Sequence, residues 1–188
     1  QLLHSAWNAT RHDGEAHRPW PWADTHPVAR LQVASHGIDQ IVLAGDSGRT
    51  LAFGPGWAEA STAPGTIGMT VISGHRDTHF AFLRDLERGA EIELQGSRGS
   101  RRYRVTDMRV ADTRRESLAL RDDDELWLVT CWPFDALAAR GPLRYVVQAI
   151  PIDAAAEQVR TPARRGNFEP GKLPAAAATR RIASVHAF

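Results

Sequence analysis

Hydrophobic and polar residues alternate along most of this chain in the short runs that are typical of β-strands. Seven runs rich in β-branched and apolar residues are separated by turn-rich segments, and each run predicts a strand. They cover residues 28–34, 41–43, 66–73, 90–95, 103–110, 126–130 and 145–152. The run at 126–130 is apolar almost throughout, so we expect a central strand buried on both faces. Seven or eight short strands with few helices predict a mainly β fold, either a barrel or a sandwich with covered edges.

The remaining segments predict a small helical part and two extensions. Residues 1–17 carry apolar side chains at helical spacing, which predicts an N-terminal amphipathic helix. Residues 18–24 hold two prolines and two tryptophans, so we expect an extended arm that packs its indoles onto the core. Residues 79–86 predict a helical turn. Residues 153–188 have six basic and three acidic side chains and no sustained period, so we predict a flexible basic tail, native or added, outside the domain formed by residues 18–152.

Composition narrows the classes of fold and function. Of the 188 residues, 43% are hydrophobic and 24% are charged, which is ordinary for a globular domain and excludes wholesale disorder. The net charge of +1 provides no global field for binding nucleic acid or an anionic membrane surface. No stretch reaches the roughly 18 apolar residues of a membrane helix. The sequence therefore predicts one globular domain with a tail.

The single cysteine, Cys131, excludes an internal disulfide, a thiolate zinc cluster and a CxxC redox motif. A lone cysteine is most often a small buried hydrophobic residue. Cys131, however, directly follows the buried strand, and Pro133 forces the chain to turn soon afterwards. Reactive groups are commonly held where a rigid scaffold meets a loop, so Cys131 is a candidate nucleophile.

A catalytic thiol needs a group that takes its proton, which is usually a histidine. Six of the eight histidines lie in the predicted N-terminal segment, early loops or tail, where solvated polar roles explain them. His75 follows the strand at 66–73, so it lies where a strand meets a loop, as Cys131 does. His75 and His79 have H-x-x-x-H spacing, but the general-base Glu of the zinc motif and a third ligand are missing. We therefore predict no metal site.

An arginine near the thiol could stabilise a developing oxyanion. Arg144 stands at the start of the last predicted strand. A hairpin would bring that strand back beside the one that ends at Cys131, with the five N–H donors of Arg144 near the thiol. Arg140, in the connecting loop, is the alternative, and an arginine at a strand start is usually only a surface residue.

Taken together, four segments resemble the sortases, cysteine transpeptidases that join proteins to acceptors in the cell envelope. The segments are LAFGPG at 51–56, VISGHRDTHF at 71–80, LVTC at 128–131 and RYVV at 144–147. Their order of His, Cys and Arg is the catalytic order of that family. The resemblance covers about residues 18–152, and WPWADT at 20–25 with GHRDTHF at 74–80 looks most like the sortases of Gram-negative bacteria.

The resemblance implies an eight-stranded closed β-barrel of the sortase type with short helices and no cofactor. Cys131 would attack the carbonyl after the threonine of a C-terminal LPXTG-like sorting signal, and an amine acceptor of the cell envelope would resolve the thioacyl enzyme. His75 would move the proton, and Arg144 would steady the oxyanion or orient the peptide. Neighbouring residues are candidates for binding the substrate or orienting these groups: Thr130, Trp132, His79 and Thr78.

The same resemblance implies a location and partners. We expect an inner-membrane enzyme that faces the periplasm, with an N-terminal anchor not present in this chain, and a partner protein that bears the sorting signal. One departure from the family is Met69, where relatives often have Asn. The sorting motif, the acceptor amine and any need for calcium stay open.

Three alternatives compete with a sortase. In papain-like and cell-wall cysteine peptidases the cysteine normally precedes the histidine and starts a helix, whereas here His75 comes first and a strand leads to Cys131. L,D-transpeptidases place a histidine and a glycine immediately before the thiol, where this chain has Val129 and Thr130. A β-barrel module that only binds a ligand would leave Cys131 inert.

Overall fold

In a computed structural model of the chain, which describes residues 1–136 and 141–152, eight strands close into a barrel. The strands are β1 Pro27–Val33, β2 Ile38–Ala44, β3 Gly56–Trp57, β4 Thr70–Ser73, β5 Glu91–Gly96, β6 Gly99–Asp112, β7 Leu126–Cys131 and β8 Leu143–Pro151. The helices are α1 Leu2–Asp13 and α2 Gly48–Leu51, with 3₁₀ turns at Ala34–His36 and Ala81–Arg84. The order around the barrel is β1-β2-β3-β4-β7-β8-β6-β5. The prediction of a closed, mainly β barrel is confirmed; the predicted tail 153–188 and Arg140 lie outside the described residues.

All seven predicted strands are present, and three of them differ from the prediction by more than two residues at one end. β2 covers Ile38–Ala44 rather than residues 41–43. β4 begins at Thr70 rather than at residue 66, and β6 extends back to Gly99, where it pairs with Gly96 in a tight hairpin with β5. The prediction missed β3, which has only two residues, pairs in parallel with β2 and antiparallel with β4, and closes that side of the barrel.

Two apolar layers lie on the two sides of the barrel wall. Because side chains alternate along a strand, Leu126 and Leu128 of β7 enter the core inside the barrel, while Trp127 and Val129 join a second cluster outside it. This outer cluster consists of Ala58, Met69, Val71, Ala111, Leu118, Trp127, Val129 and Val146. β7 is thus buried on both faces, as expected.

The predicted N-terminal helix is present as α1, but it ends at Asp13 rather than at residue 17, because Gly14 caps it in the left-handed conformation. It packs Trp7 against Ile41 and Leu43 of β2. The expectation that both arm indoles pack onto the core is wrong for Trp22, whose exposed fraction is 82%. The segment is a turn, closed by a bond from the Ala23 N–H to the Trp20 carbonyl. The half-buried Trp20 ring packs on Phe53, which is itself exposed, with ring centroids 4.8 Å apart. None of the helices in the described parts of the chain is long and apolar enough to cross a bilayer.

Candidate active site

Cys131 and Arg144 face each other on neighbouring strands. β7 and β8 are antiparallel, and Cys131 is the register partner of Arg144, so the hairpin returns as the sequence predicts. The Cys131 side chain is half-buried. Arg144 is 6% exposed, and its Nη1 donates to the carbonyl oxygens of Gly141 at 2.6 Å and Leu143 at 2.9 Å. The guanidinium is therefore held beside the end of β7.

His75 reaches the same place from the other side of β7. β4 runs parallel to β7, with Ser73 level with Val129, and the Gly74 N–H donates to the Val129 carbonyl at 3.1 Å. His75 lies two residues beyond Ser73, as Cys131 lies two beyond Val129, so the register places the two residues at adjacent strand ends. β7 thus has the parallel strand β4 on one side and the antiparallel strand β8 on the other. This arrangement brings all three predicted catalytic residues to one edge of the barrel.

Gly74 and Thr130 hold the turn that carries His75. A Cβ atom on Gly74 would lie 2.6 Å from the ring of Phe80, which is fully buried, so the close approach requires glycine. The Thr130 hydroxyl donates to the Gly74 carbonyl at 2.7 Å and is itself buried. The structure thus gives Thr130 a bond within the scaffold, while its predicted contact with substrate stays a prediction.

Cys131 and Arg144 lie on the outer face of the barrel wall. Each of Ser73, Cys131 and Arg144 lies two residues from a valine of the outer cluster and therefore on the same face of its strand. The valines are Val71, Val129 and Val146, respectively. Ser73 is 1% exposed, and its hydroxyl has no hydrogen-bond partner among the described residues. Sequence reasoning did not identify Ser73, because a single hydroxyl before the turn that carries His75 has no pattern of its own.

Arg76, which sequence reasoning also missed, ties the loop after β4 to the loop after β7. Its side chain is 4% exposed and binds Asp77 through Nε and Nη2, at 2.8 and 3.0 Å. Nη1 donates to the Pro133 carbonyl at 2.5 Å, and Nη2 donates to the Ala136 carbonyl at 2.9 Å. Hydrogen bonding to Asp77 raises the pKa of Arg76, and the charges of Cys131 and Asp135 add to this.

Trp132 belongs to an aromatic cluster on the barrel rim. Its ring stacks on Tyr145 with centroids 5.5 Å apart and an interplanar angle of 21°. Phe134 meets the rings of Trp132 and Tyr145 edge to face, at 5.5 and 5.2 Å. These contacts fix the half-buried indole beside Cys131, and its predicted role in binding substrate stays a prediction.

Thr78 and His79 lie on the outer side of the turn that carries His75. The exposed Thr78 hydroxyl is 3.3 Å from Nδ1 of His79. Burial lowers the pKa of His79, and the charge of His75 lowers it further, which places the two imidazoles within electrostatic reach of each other. Within residues 1–136 and 141–152, no three His, Cys, Asp or Glu side chains come together as a metal site.

Comparisons with known proteins identify the family of this domain. Residues 31–152 match the sortase domain. The chain is 29% identical over 119 residues to sortase D of Bacillus subtilis (strain 168), an alignment that covers 62% of this chain and spans only 60% of that relative's length.

Solved sortase structures share the barrel. Sortase A from Corynebacterium diphtheriae superposes with a TM-score of 0.59 at 25% identity, covering 70% of this chain and 63% of that one. A Clostridium perfringens sortase D5 superposes with a TM-score of 0.63, covering 80% of this chain and 96% of that one, and at 20% identity this likeness is one of fold. Since the sortase domain accounts for well over half of the residues, the chain belongs to the sortase family.

Proposed function

We propose that this protein is a cysteine transpeptidase that cleaves a C-terminal LPXTG-like sorting signal and transfers the protein to an amine acceptor of the cell envelope. The observation that carries the proposal is the meeting of three groups at the end of β7. Cys131 has Arg144 as its register partner on β8, and the parallel strand β4 brings His75 to the other side. A nucleophile, a proton carrier and a cation thus share one edge of the barrel.

In the first half of the reaction, the Cys131 thiolate attacks the carbonyl carbon that follows the signal's threonine. The carbonyl π electrons move onto oxygen, and the guanidinium of Arg144 stabilises the resulting oxyanion. When the tetrahedral intermediate collapses, the C–N bond breaks and His75 donates its proton to the leaving amine. The products are a thioester on Cys131 and a free amine fragment.

In the second half, the acceptor amine attacks the thioester carbonyl. Neutral His75 takes a proton from the incoming nitrogen, the C–S bond breaks, and Cys131 leaves as the thiolate. The new amide is released, and the Cys131 thiolate with the protonated imidazole of His75 is the starting state of the enzyme. Thioesters react well with amines, so a thiol nucleophile in a groove poor in water favours transfer over hydrolysis.

The position of Cys131 supports this reaction over the competing ones. The thiol stands at the end of a strand, whereas papain-like peptidases place it at the start of a helix, and the residues before it are not those of L,D-transpeptidases. Hydrolysis by the same thioester chemistry, with water as the acceptor, is the outcome that an assay must separate from transfer.

The location and subclass belong to the proposal as well. We place the enzyme at the inner membrane with its domain facing the periplasm, where a single thiol has no partner for an internal disulfide. The assignment to the Gram-negative type rests on residues 20–25 and 74–80 alone. Cleavage of the domain by protease added to spheroplasts would support the location, and protection from it would contradict it.

A transfer assay tests the proposal. The wild-type protein is incubated with peptides that carry LPXTG-like motifs and with an amine acceptor, and mass spectrometry separates the transfer product from the hydrolysis product. Cys131→Ala is expected to abolish both products, and His75→Ala and Arg144→Ala are expected to reduce transfer by about 10²–10⁴-fold. Matched controls are His12→Ala and Arg30→Ala, which alter groups outside the site and should leave turnover near the wild-type value.

Two results would overturn the proposal. If Cys131→Ala still cleaves the peptides, the nucleophile is wrong. If the folded wild-type protein cleaves none of a library of sorting peptides while binding them, the chain is a binding module instead.

A further inference from the structure

The buried guanidinium of Arg76 makes contacts on the loop after β4, which carries His75, and on the loop after β7, which follows Cys131. It directly follows His75 in the sequence, whereas the carbonyl groups it binds, those of Pro133 and Ala136, follow Cys131. Nothing in the proposed reaction uses this side chain. Its side chain is 4% exposed, and an arginine is rarely buried unless its donors are paired.

The pattern of bonds makes Arg76 a rigid connector. One edge of the guanidinium is held by the Asp77 carboxylate in a bidentate pair, which fixes the plane of the group. The remaining donors then point at the loop after β7, where two carbonyl groups accept them. Four hydrogen bonds leave the connector little rotational freedom, so the loop after Cys131 cannot shift without breaking bonds to a charged group.

Other contacts also cross this edge of the barrel. The main-chain bonds between β4 and β7 include the one from the Gly74 N–H to the Val129 carbonyl, one residue before His75. Thr130 adds one side-chain bond to Gly74. Two arginines bridge the two segments beyond that point. Arg84, which is half exposed, donates to the Phe134 carbonyl and to Asp135, whereas the enclosed Arg76 binds the Pro133 carbonyl, two residues after Cys131. Displacing a reacting group by about 1 Å typically costs about 10² in rate.

We propose that Arg76 is the positioning residue of this site, which aligns the imidazole of His75 with the thiol of Cys131 by tying the two loops together. The inference rests on the proposed function, since it takes these two side chains as the reacting pair. Several charged or titratable groups lie at this end of β7: Arg144 on β8, His75, Arg76, Asp77, His79 and Arg84 on the segment after β4, and Asp135 on the loop after Cys131.

Alkylation of Cys131 by iodoacetamide tests this alignment without any sorting peptide. The reagent is uncharged, and the chain has one thiol, so the rate reports on how well the imidazole activates it. We expect His75→Ala to slow alkylation at neutral pH, and Arg76→Gln to slow it by about tenfold. If Arg76 acts through His75, the double variant will be no slower than His75→Ala alone.

Two further variants separate alignment from charge and from stability. Arg76→Lys keeps the positive charge and is the more conservative change, but it loses the planar fork, so we expect it to be as slow as Arg76→Gln. Arg101→Gln removes a guanidinium with the same kind of bonding, to Asp124 and the Thr66 carbonyl, at the opposite end of β7. It should lower the midpoint of thermal unfolding and leave the alkylation rate unchanged.

The outcomes distinguish this inference from the proposed function. If the wild type and His75→Ala react equally fast, the two residues do not act together, and the proposed function fails first. If His75→Ala is slow but Arg76→Gln matches the wild type, only the positioning role is overturned. Full recovery in Arg76→Lys, additive losses in the double variant, or an equal loss in Arg101→Gln would also overturn it.

Discussion

The two ends of β7 are secured by similar arginine bridges that serve different purposes. Before the strand begins, Arg101 binds both oxygens of Asp124, at 2.6 and 2.7 Å, and the Thr66 carbonyl at 2.9 Å. After it ends, Arg76 binds both oxygens of Asp77 and two carbonyl groups. Each guanidinium thus satisfies a carboxylate and backbone acceptors at once.

The difference lies in what each bridge joins. Both partners of the Arg101 pair are largely enclosed, at 17% and 28% exposure, whereas Asp77 is 63% exposed and adjacent to Arg76 in the sequence. The first pair therefore contributes mainly to stability. In the second pair the carboxylate only orients the arginine, and the bonds that matter reach across to the loop after Cys131. The same type of side chain thus holds the barrel closed at one end of β7, as Arg101, and aligns reacting groups at the other end, as Arg76.

The largest effect on stability is expected from Asp124→Asn. The substitution leaves the enclosed Arg101 cation without its counter-ion and removes a charged acceptor from the Gly68 N–H. We expect the free energy of unfolding to fall by about 3 kcal/mol, as measured by urea denaturation at pH 7. Asp122→Asn, at an exposed position nearby, is the control and should change it by less than about 0.5 kcal/mol.

The loss should also depend on pH. The Arg101 guanidinium holds the pKa of Asp124 below its ordinary value of 3.8, and the Gly68 N–H helps. A carboxyl with a lowered folded pKa stabilises the fold above its unfolded pKa, and this contribution disappears as the pH falls through the folded value. The gap between wild type and Asp124→Asn should therefore narrow below pH 4, and a gap that is constant with pH would contradict the assignment.

Gly74→Ala should damage the catalytic end of β7. Its Cβ would meet the Phe80 ring at 2.6 Å, and forcing extra volume into a packed site costs about 1–3 kcal/mol. Because the same backbone leads to His75, we expect turnover to fall as well. Gly141→Ala has open space around its added Cβ and should leave the thermal midpoint unchanged. An equally stable Gly74→Ala protein would show that Phe80 can move aside.

Thr130→Val removes one bond between β7 and the turn before His75. The loss of the hydroxyl leaves the Gly74 carbonyl without this buried donor, which should cost about 1–2 kcal/mol. Thr106→Val is the matched control, since its hydroxyl donates to the Gln148 carbonyl at an exposed position, at 3.3 Å. If the two variants lose equal free energy of unfolding, the buried bond to Gly74 stabilises the fold no more than an exposed bond does.

The smallest effect, with the opposite sign, is expected at Ser73. Its hydroxyl is buried without a hydrogen-bond partner in the described part of the chain, so Ser73→Ala should raise the free energy of unfolding by about 1 kcal/mol. A decrease in chemical denaturation experiments would mean that a bound water or a substrate-like group satisfies the hydroxyl.

Much of the fold is readable from local sequence, since seven strands follow from runs of apolar and β-branched residues. β3 is not, because two residues, Gly56 and Trp57, have no period, and their pairing depends on strands that arrive from elsewhere in the chain. The exposure of Trp22 has a similar cause. A hydrophobic residue predicts burial, but the turn at Trp20–Ala23 leaves the Trp22 indole exposed.

Some residues of the site can be predicted from the sequence and others cannot. Cys131, His75 and Arg144 lie at strand ends, so their positions follow from the strand pattern together with the family resemblance. Arg76 reads as one more charged residue in a loop, because its acceptors at Pro133 and Ala136 lie far along the chain. Contacts of this kind depend on how two loops meet after the barrel closes, which no local pattern encodes.

The most direct test of the central claim is detection of the acyl group on Cys131. The protein is mixed with a peptide bearing an LPXTG-like motif in the absence of an amine acceptor, quenched in acid, and analysed by intact-mass and fragment-mass spectrometry. The account predicts an added mass equal to the peptide that ends at its threonine minus one water, located on Cys131 as a thioester and released by hydroxylamine. Cleavage of the peptide with the adduct on another residue, or with no adduct when the reaction is quenched during turnover, would contradict it.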